Sequence, residues 1–140
     1  MGAVESERPP ATRPAVVREA DCPWESWADP AVHRKSPVRW KLLVGGERTS
    51  SKGLTVGTCE VPPGASLLLH HHAPGEVYYV TAGEGMTEID DVVTPIGPGT
   101  ALYIPPNARH RTRNTGTTPL AFVWIFPTDT FSEIAYHYDE

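Results

Sequence analysis

Three histidines and a glutamate lie within one seven-residue segment of this 140-residue chain, His70-His71-His72-Ala73-Pro74-Gly75-Glu76. Successive strand side chains point to opposite faces, so His70 and His72 share one face and His71 takes the other. The short connection from Ala73 to Gly75 turns the chain, which lets Glu76 return from the next strand toward the same point. Two imidazoles and a carboxylate that converge in this way predict a metal site with open coordination positions.

Two longer patterns surround these residues. The segment Gly64–Gly83 resembles the first motif of the cupin family, G-x5-H-x-H-x3/4-E-x6-G, at every fixed position. Gly99–Asn114 resembles the second motif, G-x5-P-x-G-x2-H-x3-N, with Asn107 in place of the usual glycine. Asparagine tolerates positive φ, so we expect this turn to form. The resemblance covers about residues 54–127. It implies a small antiparallel barrel whose metal ligands are His70, His72, Glu76 and His110.

The order of predicted elements agrees with an all-β fold, a cupin-type antiparallel β-barrel of the jelly-roll class with an extended N-terminal arm. Short strands divided by Gly, Pro and Asn turns are typical of such barrels, and no segment has the sustained apolar period of a major helix. We expect the C-terminus near His137 to be disordered. The predicted strands are Trp40–Val44, Leu54–Val61, Ser66–His72, Glu76–Val80, Thr87–Ile89, Val92–Ile96, Ala101–Ile104, His110–Asn114, Leu120–Phe126 and Phe131–Tyr138.

The chain divides into an arm, residues 1–38, and a single barrel domain, residues 39–140. Prolines in residues 1–20 exclude regular structure, so we expect part of the arm to be disordered. Trp24 and Trp27 predict that the rest of the arm packs on the barrel, with His33 at the surface. Residues 1–52 hold nine Lys/Arg and seven Asp/Glu and are mildly basic, whereas residues 53–140 hold three Lys/Arg and ten Asp/Glu and are acidic.

Composition limits the partners and the location. A net charge of −5 argues against a nucleic-acid partner. No apolar run is long enough to span a bilayer and no signal peptide opens the chain, so we expect a cytoplasmic protein without a membrane partner. Cys22 and Cys59 lack metal-type spacing and are expected to be reduced thiols. We also expect a homodimer that binds a small-molecule substrate.

Three imidazoles and one carboxylate suit one divalent transition metal per chain, either Fe(II), Mn(II), Ni(II), Co(II) or Zn(II). Tyr78 lies two residues after Glu76 and shares its face, so its phenol is a candidate general base beside the cation. For Tyr78 the alternative is that it only packs the barrel wall. For the histidines the alternative is that they only fill the barrel interior and bind no metal. Tyr79 and the alternating stripe Arg109, Arg111 and Arg113 are expected to face outward.

Three functions fit these residues. The first is a metal-dependent lyase that abstracts a proton from a small carboxylate or carbonyl substrate, with Tyr78 and Glu76 as the catalytic residues. This string resembles cupin lyases that split dimethylsulfoniopropionate into acrylate and dimethyl sulfide, which use H-x-H-x3-E-x-Y and a later histidine. The second is an Fe(II) or Ni(II) dioxygenase that cleaves an enolisable or aromatic substrate. The third is a metal or small-molecule binding module, because the fold does not select a reaction.

Overall fold

Two antiparallel five-stranded sheets form the fold in a computed structural model that describes residues 12–140. The predicted disorder of residues 1–11 lies outside the described part of the chain. The first sheet has the strand order β1-β2-β9-β4-β7 and the second β10-β3-β8-β5-β6. The strands are β1 (Arg39–Val44), β2 (Thr55–Val61), β3 (His70–His71), β4 (Glu76–Ala82), β5 (Gly85–Ile89), β6 (Val92–Ile96), β7 (Ala101–Ile104), β8 (His110–Asn114), β9 (Leu120–Phe126) and β10 (His137–Tyr138). The predicted all-β fold is confirmed.

Helical structure is minor among residues 12–140. It consists of a 3₁₀ turn at Glu19–Asp21 and one α-helix, α1 (Pro30–Lys35). Asp29 caps α1 by accepting a hydrogen bond from the Ala31 N–H, and Pro30 occupies the first helical position, where its missing N–H costs nothing. With six residues, α1 is far too short to cross a bilayer, and no other described helix is long and apolar enough.

The pairing of β2 with β9 shows how the sequence builds the interior. Burial alternates strictly along both strands, as expected when one face of a sheet packs on a core. Gly57 on β2 lies opposite Trp124 on β9, and a Cβ at Gly57 would come within 2.1 Å of the indole and 2.3 Å of the Lys41 carbonyl. Gly57 therefore makes room for a large aromatic side chain in the core.

The N-terminal arm extends the first sheet beyond β1. Glu25 and Trp40 exchange two backbone hydrogen bonds of 2.7 and 3.0 Å, which makes a one-residue antiparallel bridge. Trp27 packs on Trp40 with ring centroids 4.8 Å apart. Trp24 lies farther out, with the Arg39 guanidinium 3.9 Å from its ring centroid. The arm thus places one tryptophan against the core and the other near the surface.

Two predicted strands are much shorter than expected. Only His70–His71 of the segment 66–72 pairs as a strand. The backbone groups just before it are bonded elsewhere: the Leu68 carbonyl accepts from the His70 ring, and Leu69 bonds to Asp139 and Glu140 at the C-terminus.

The predicted strand Phe131–Tyr138 is also wrong for most of its length, because only His137–Tyr138 is a strand. The Glu47 carboxylate accepts from the N–H groups of Phe131 and Ser132, and the Phe131 carbonyl closes a turn with Ile134. These backbone groups are therefore not available to a neighbouring strand. The expected disorder near His137 is wrong as well, since β10 pairs with β3.

Candidate metal centre

The three histidines of the two motifs meet in the interior. His70 lies on β3 directly opposite His110 on β8, and His72 follows one residue after β3. Each ring offers a nitrogen that lies within 4.8 Å of those of the other two. The three residues are 3%, 1% and 0% exposed, so this group is closed to bulk solvent. Strand pairing across the sheet has therefore joined residues that are forty positions apart in sequence.

Glu76 approaches the same point from the other sheet. It is the first residue of β4 and is 5% exposed. Its Oε1 atom lies 3.2 Å from Nε2 of His72 and 3.6 Å from Nε2 of His110. The site thus bridges the two sheets, with three imidazoles contributed by one sheet and its flanking loop and a carboxylate by the other.

Backbone carbonyls orient all three imidazole rings. A carbonyl oxygen can only accept, so the ring Nδ1 atom that contacts it must carry the hydrogen. In a neutral ring this leaves the lone pair on Nε2, the atom that faces the centre of the group. The acceptors are the carbonyl oxygens of Leu68 for His70 (2.6 Å), Pro74 for His72 (2.9 Å) and Ala108 for His110 (2.8 Å).

The His110 ring supplies the sharpest sign that the group is incomplete. Its Nε2 atom is buried and has no hydrogen-bond partner among residues 12–140. A buried polar atom without a partner costs about 1–3 kcal/mol, so such atoms in native proteins usually have a ligand or a water. Three Nε2 lone pairs and one carboxylate form a donor set that fits a divalent transition metal.

Electrostatics in the metal-free site shifts the pKa values of His70 and His72 in opposite directions. Burial and the neighbouring His110 lower the pKa of His70 from 6.5 to about 3. Burial also acts to lower the pKa of His72, but the hydrogen bond and charge of Glu76 outweigh it, so this pKa is raised. Metal binding generally displaces such protons from its ligands, which couples affinity to pH.

A small cavity of about 40 Å³ adjoins the site, with His70 and Glu76 in its wall. A volume of this size holds a few water molecules, so a larger ligand requires the wall to move. Of the twelve residues that line it, seven are aromatic and Glu76 is the one carboxylate. The lining residues are Trp27, Val38, Trp40, Cys59, Leu67, His70, Glu76, Tyr78, Phe122, Trp124, Phe131 and Tyr136.

Tyr78 points into this cavity, as its spacing from Glu76 predicts. It is 2% exposed, and its ring stacks on Phe122 with centroids 4.2 Å apart. Burial, and then the charge of Glu76, raise the pKa of Tyr78 well above its usual value of 10. Without a cation the phenol is therefore neutral, and any role as a base depends on a positive charge nearby.

Tyr136 is a cavity residue that the sequence analysis missed. Its ring centroid lies 5.3 Å from those of both His70 and His72, and burial raises the pKa of its phenol above the usual value. The residue lies outside both motifs and just before β10, a strand of two residues, which is too short to produce a recognisable alternation. No local pattern in the sequence could have placed Tyr136 at the site.

The C-terminal residues hold this segment over the histidines. The Asp139 N–H donates to the Leu69 carbonyl at 2.8 Å, and the Asp139 carboxylate contacts Nδ1 of His71 at 2.9 Å. Arg111 contacts the Glu140 carboxylate at 3.3 Å. His71, which faces away from the metal-binding group, thus anchors the end of the chain.

The remaining sequence-predicted residues lie outside the site. Tyr79 is 47% exposed on the outer face of β4, and His33 is exposed on α1. The arginines at 109, 111 and 113 face away from the cavity, where the first two contact acidic side chains at the C-terminus. Cys22 and Cys59 are both buried free thiols, and only Cys59 lines the cavity.

Comparison with known proteins identifies the family. The Cupin domain family matches residues 57–126. The chain is 33% identical to dimethylsulfoniopropionate lyase DddW of Ruegeria pomeroyi over 125 residues, which are 89% of this chain and 80% of that protein. It is 31% identical to an oxalate-binding protein of Thermotoga maritima over 92 residues, 65% of this chain and 76% of the relative. Alignments with two further relatives, a glucose-6-phosphate isomerase of Thermococcus kodakarensis and Protein SchB of Streptomyces halstedii, cover 36% and 51% of those proteins.

Comparison with solved structures supports the same family. A predicted oxalate decarboxylase from Thermotoga maritima superposes with a TM-score of 0.68 and 26% identity, over 81% of this chain and 99% of the other. The family match runs from the third residue of β2 to the end of β9 and hence includes all three histidines and Glu76. By sequence, fold and donor set, the chain belongs to the cupin superfamily.

Proposed function

We propose that this protein is a metal-dependent lyase that removes a proton next to the carboxylate of a small substrate and expels a leaving group from the neighbouring carbon. The observation that carries the proposal is that Tyr78, Glu76 and His70 line one aromatic-walled cavity, and that His70 belongs to the group of three buried histidines. The similarity to a dimethylsulfoniopropionate lyase over most of both chains supports it.

The metal ligands in this proposal are His70, His72, Glu76 and His110. When bound, a divalent cation supplies a Lewis acid that draws electron density from the substrate carboxylate and favours ionisation of a nearby phenol. Fe(II), Mn(II), Ni(II), Co(II) and Zn(II) all suit this donor set. The proposed reaction is redox-neutral, so it makes no demand on the oxidation chemistry of the cation.

Dimethylsulfoniopropionate is the substrate that we propose, because both of its ends match the side chains of the cavity wall, which must move to admit it. Its carboxylate suits the metal, and its sulfonium suits aromatic faces, which attract cations by about 0.5–2 kcal/mol per contact. The Tyr78 phenolate takes the proton from the carbon next to the carboxylate. The electron pair of that C–H bond forms the C=C bond of acrylate, and the C–S bond breaks with its pair on sulfur, which releases neutral dimethyl sulfide.

A second candidate is a binding module without catalysis. The similarity to an oxalate-binding protein supports this alternative, as does the small volume of the cavity, which holds only a few water molecules unless its wall moves. Both candidates need the same four metal ligands. They differ in whether the Tyr78 phenol exchanges a proton with the ligand.

One experiment distinguishes these functions from a cupin dioxygenase. The metal-free protein is loaded with Fe(II), Mn(II) or Zn(II) and assayed with dimethylsulfoniopropionate and with an enolisable diketone, each with and without oxygen. We expect equimolar acrylate and dimethyl sulfide in anaerobic samples that contain Zn(II) or Mn(II). Turnover that requires Fe(II) and consumes oxygen would instead indicate the dioxygenase, and ligand binding without turnover would indicate the binding module. The cytoplasmic location and the homodimer remain predictions.

A further inference from the structure

The indole of Trp40 is a buried hydrogen-bond donor without an acceptor. Trp40 is 8% exposed, and its Nε1 atom has no hydrogen-bond partner within residues 12–140. An indole N–H can only donate, and its direction is fixed by the ring. Three other buried side-chain atoms share this condition: Ser36 Oγ, Thr58 Oγ1 and His110 Nε2. The two hydroxyls can rotate toward another partner, whereas the indole cannot.

Trp40 is also a wall residue of the cavity next to the proposed metal site. It lies on β1 opposite Cys59 of β2, and both side chains line the cavity. The rings nearest to it are those of Trp27 at 4.8 Å and Phe131 at 6.2 Å, and neither ring carries an acceptor atom in its plane. No described residue supplies the acceptor, which leaves a ligand in the cavity or an ordered water to do so.

The chemistry of the wall selects the type of ligand atom. Glu76 would repel an anion, so it is a poor partner for a carboxylate in the absence of a metal. Trp40 adds a neutral donor to an otherwise mostly apolar wall. Hydrogen bonds from neutral donors to carboxylates are stronger than those to neutral acceptors, and they leave the carboxylate charge in place.

We propose that the Trp40 indole N–H donates a hydrogen bond to a carboxylate oxygen of the substrate and is a specificity-determining residue. The inference rests on the proposed function in that it places a small carboxylate in this cavity. It adds that the protein recognises the carboxylate directly through β1 as well as through the metal. Neutral analogues of the same shape are then discriminated against by the indole.

The test uses propionate as the probe with the Zn(II)-loaded protein. Isothermal titration compares the wild type, Trp40→Phe, which keeps an aromatic ring but removes the donor, and Trp24→Phe, a control at a partly exposed tryptophan outside the cavity. We expect Trp40→Phe to weaken propionate binding by about 10- to 100-fold, the range for a hydrogen bond to a charged group. Trp24→Phe is expected to change the dissociation constant by less than about threefold.

A second measurement requires no variant to fold. Four indole N–H resonances are expected from ¹⁵N-tryptophan-labelled wild-type protein, one per tryptophan. The Trp40 signal, assigned through its nuclear Overhauser contacts to Trp27, should shift downfield on addition of propionate and stay in place on addition of propionamide at the same concentration. The binding loss in Trp40→Phe should appear in turnover as a raised KM with kcat nearly unchanged.

The outcomes separate this inference from the proposed function. Unchanged propionate affinity in Trp40→Phe, or an indole signal that does not respond to propionate, overturns the role of Trp40 even if the lyase activity is present. A wild-type protein that binds no carboxylate overturns both. Weakened binding in Trp40→Phe with no lyase turnover in the wild type supports Trp40 and rejects the lyase.

Discussion

The change Tyr78→Phe removes one oxygen atom from the cavity and leaves the ring in place. Tyr78 is 2% exposed, and the stack of its ring on Phe122 at 4.2 Å does not involve the hydroxyl. Because the ring is kept and the hydroxyl loses one buried hydrogen bond, to Thr112, we expect the free energy of unfolding to fall by about 1–2 kcal/mol. The variant should therefore be a folded protein with its metal ligands intact.

Activity should respond far more strongly than stability. Loss of a general base typically lowers a rate by about 10²- to 10⁴-fold, which corresponds to about 3–5 kcal/mol in the activation free energy. The raised pKa of Tyr78 in the metal-free site adds a second expectation. Without a cation the phenol stays protonated, so removal of the metal and removal of the hydroxyl should not have additive effects on the rate.

The assay measures dimethyl sulfide in the headspace and acrylate in solution for Zn(II)-loaded wild type, Tyr78→Phe and Tyr136→Phe, each with its metal content determined. Tyr136 is the matched comparison because its phenol lies in the same cavity. A Tyr78→Phe protein that retains its metal and a kcat within about threefold of wild type would refute the assignment of Tyr78 as the base. A large loss in Tyr136→Phe alone would move the base to that residue.

Three further predictions follow from the site and the core. His72→Ala should lower bound metal from about one ion per chain to near zero and abolish turnover, as measured by elemental analysis of the dialysed protein; full occupancy would reject this ligand. Gly57→Ala should lower the free energy of unfolding by about 3 kcal/mol or more, because the new Cβ would meet Trp124 at 2.1 Å, and a variant with an unchanged urea midpoint would contradict the packing. The pKa of His70 is about 3 in the folded protein and near 6.5 in the unfolded chain. Below pH 6.5 the unfolded chain therefore binds a proton that the folded protein does not. As the pH is lowered from 6.5 to about 3, the free energy of unfolding of the metal-free protein should decrease by up to about 1.4 kcal/mol per pH unit. His70→Gln should show a shallower dependence of the urea midpoint on pH in that window, and an equal slope would reject the burial of a neutral His70.

Local rules predicted the parts of the site that depend on neighbouring residues. Alternation along the chain places His70 and His72 on one face and His71 on the other, and the turn after His72 returns Glu76. Asn107 adopts a φ of 62°, as its place in the second motif requires. These features follow from strand geometry and turn chemistry within a few residues, so a single sequence is sufficient to predict them.

The features that escaped prediction depend on pairing between distant segments. The inward orientation of Trp40 is set by its register against Cys59 and by the arm residue Glu25, and neither contact can be read from the apolar run that contains it. Tyr136 reaches the histidines because acidic side chains bind the backbone N–H groups of the preceding turn and β10 pairs with β3. Such contacts are tertiary, and they decide which aromatic residues complete the cavity.

The charge of the cavity argues for a substrate with both a carboxylate and a cationic group. Glu76 is the one carboxylate among the described residues of the wall, and the three imidazoles are neutral when they donate to a metal. A divalent cation therefore leaves one net positive charge, which a single carboxylate neutralises, whereas a dianion such as oxalate leaves a buried excess of negative charge. Once Tyr78 ionises, the enclosed site gains a negative charge that only a cationic substrate group can balance. Because uncompensated charge is costly away from water, a zwitterion suits the reacting state of this site better than a simple anion does.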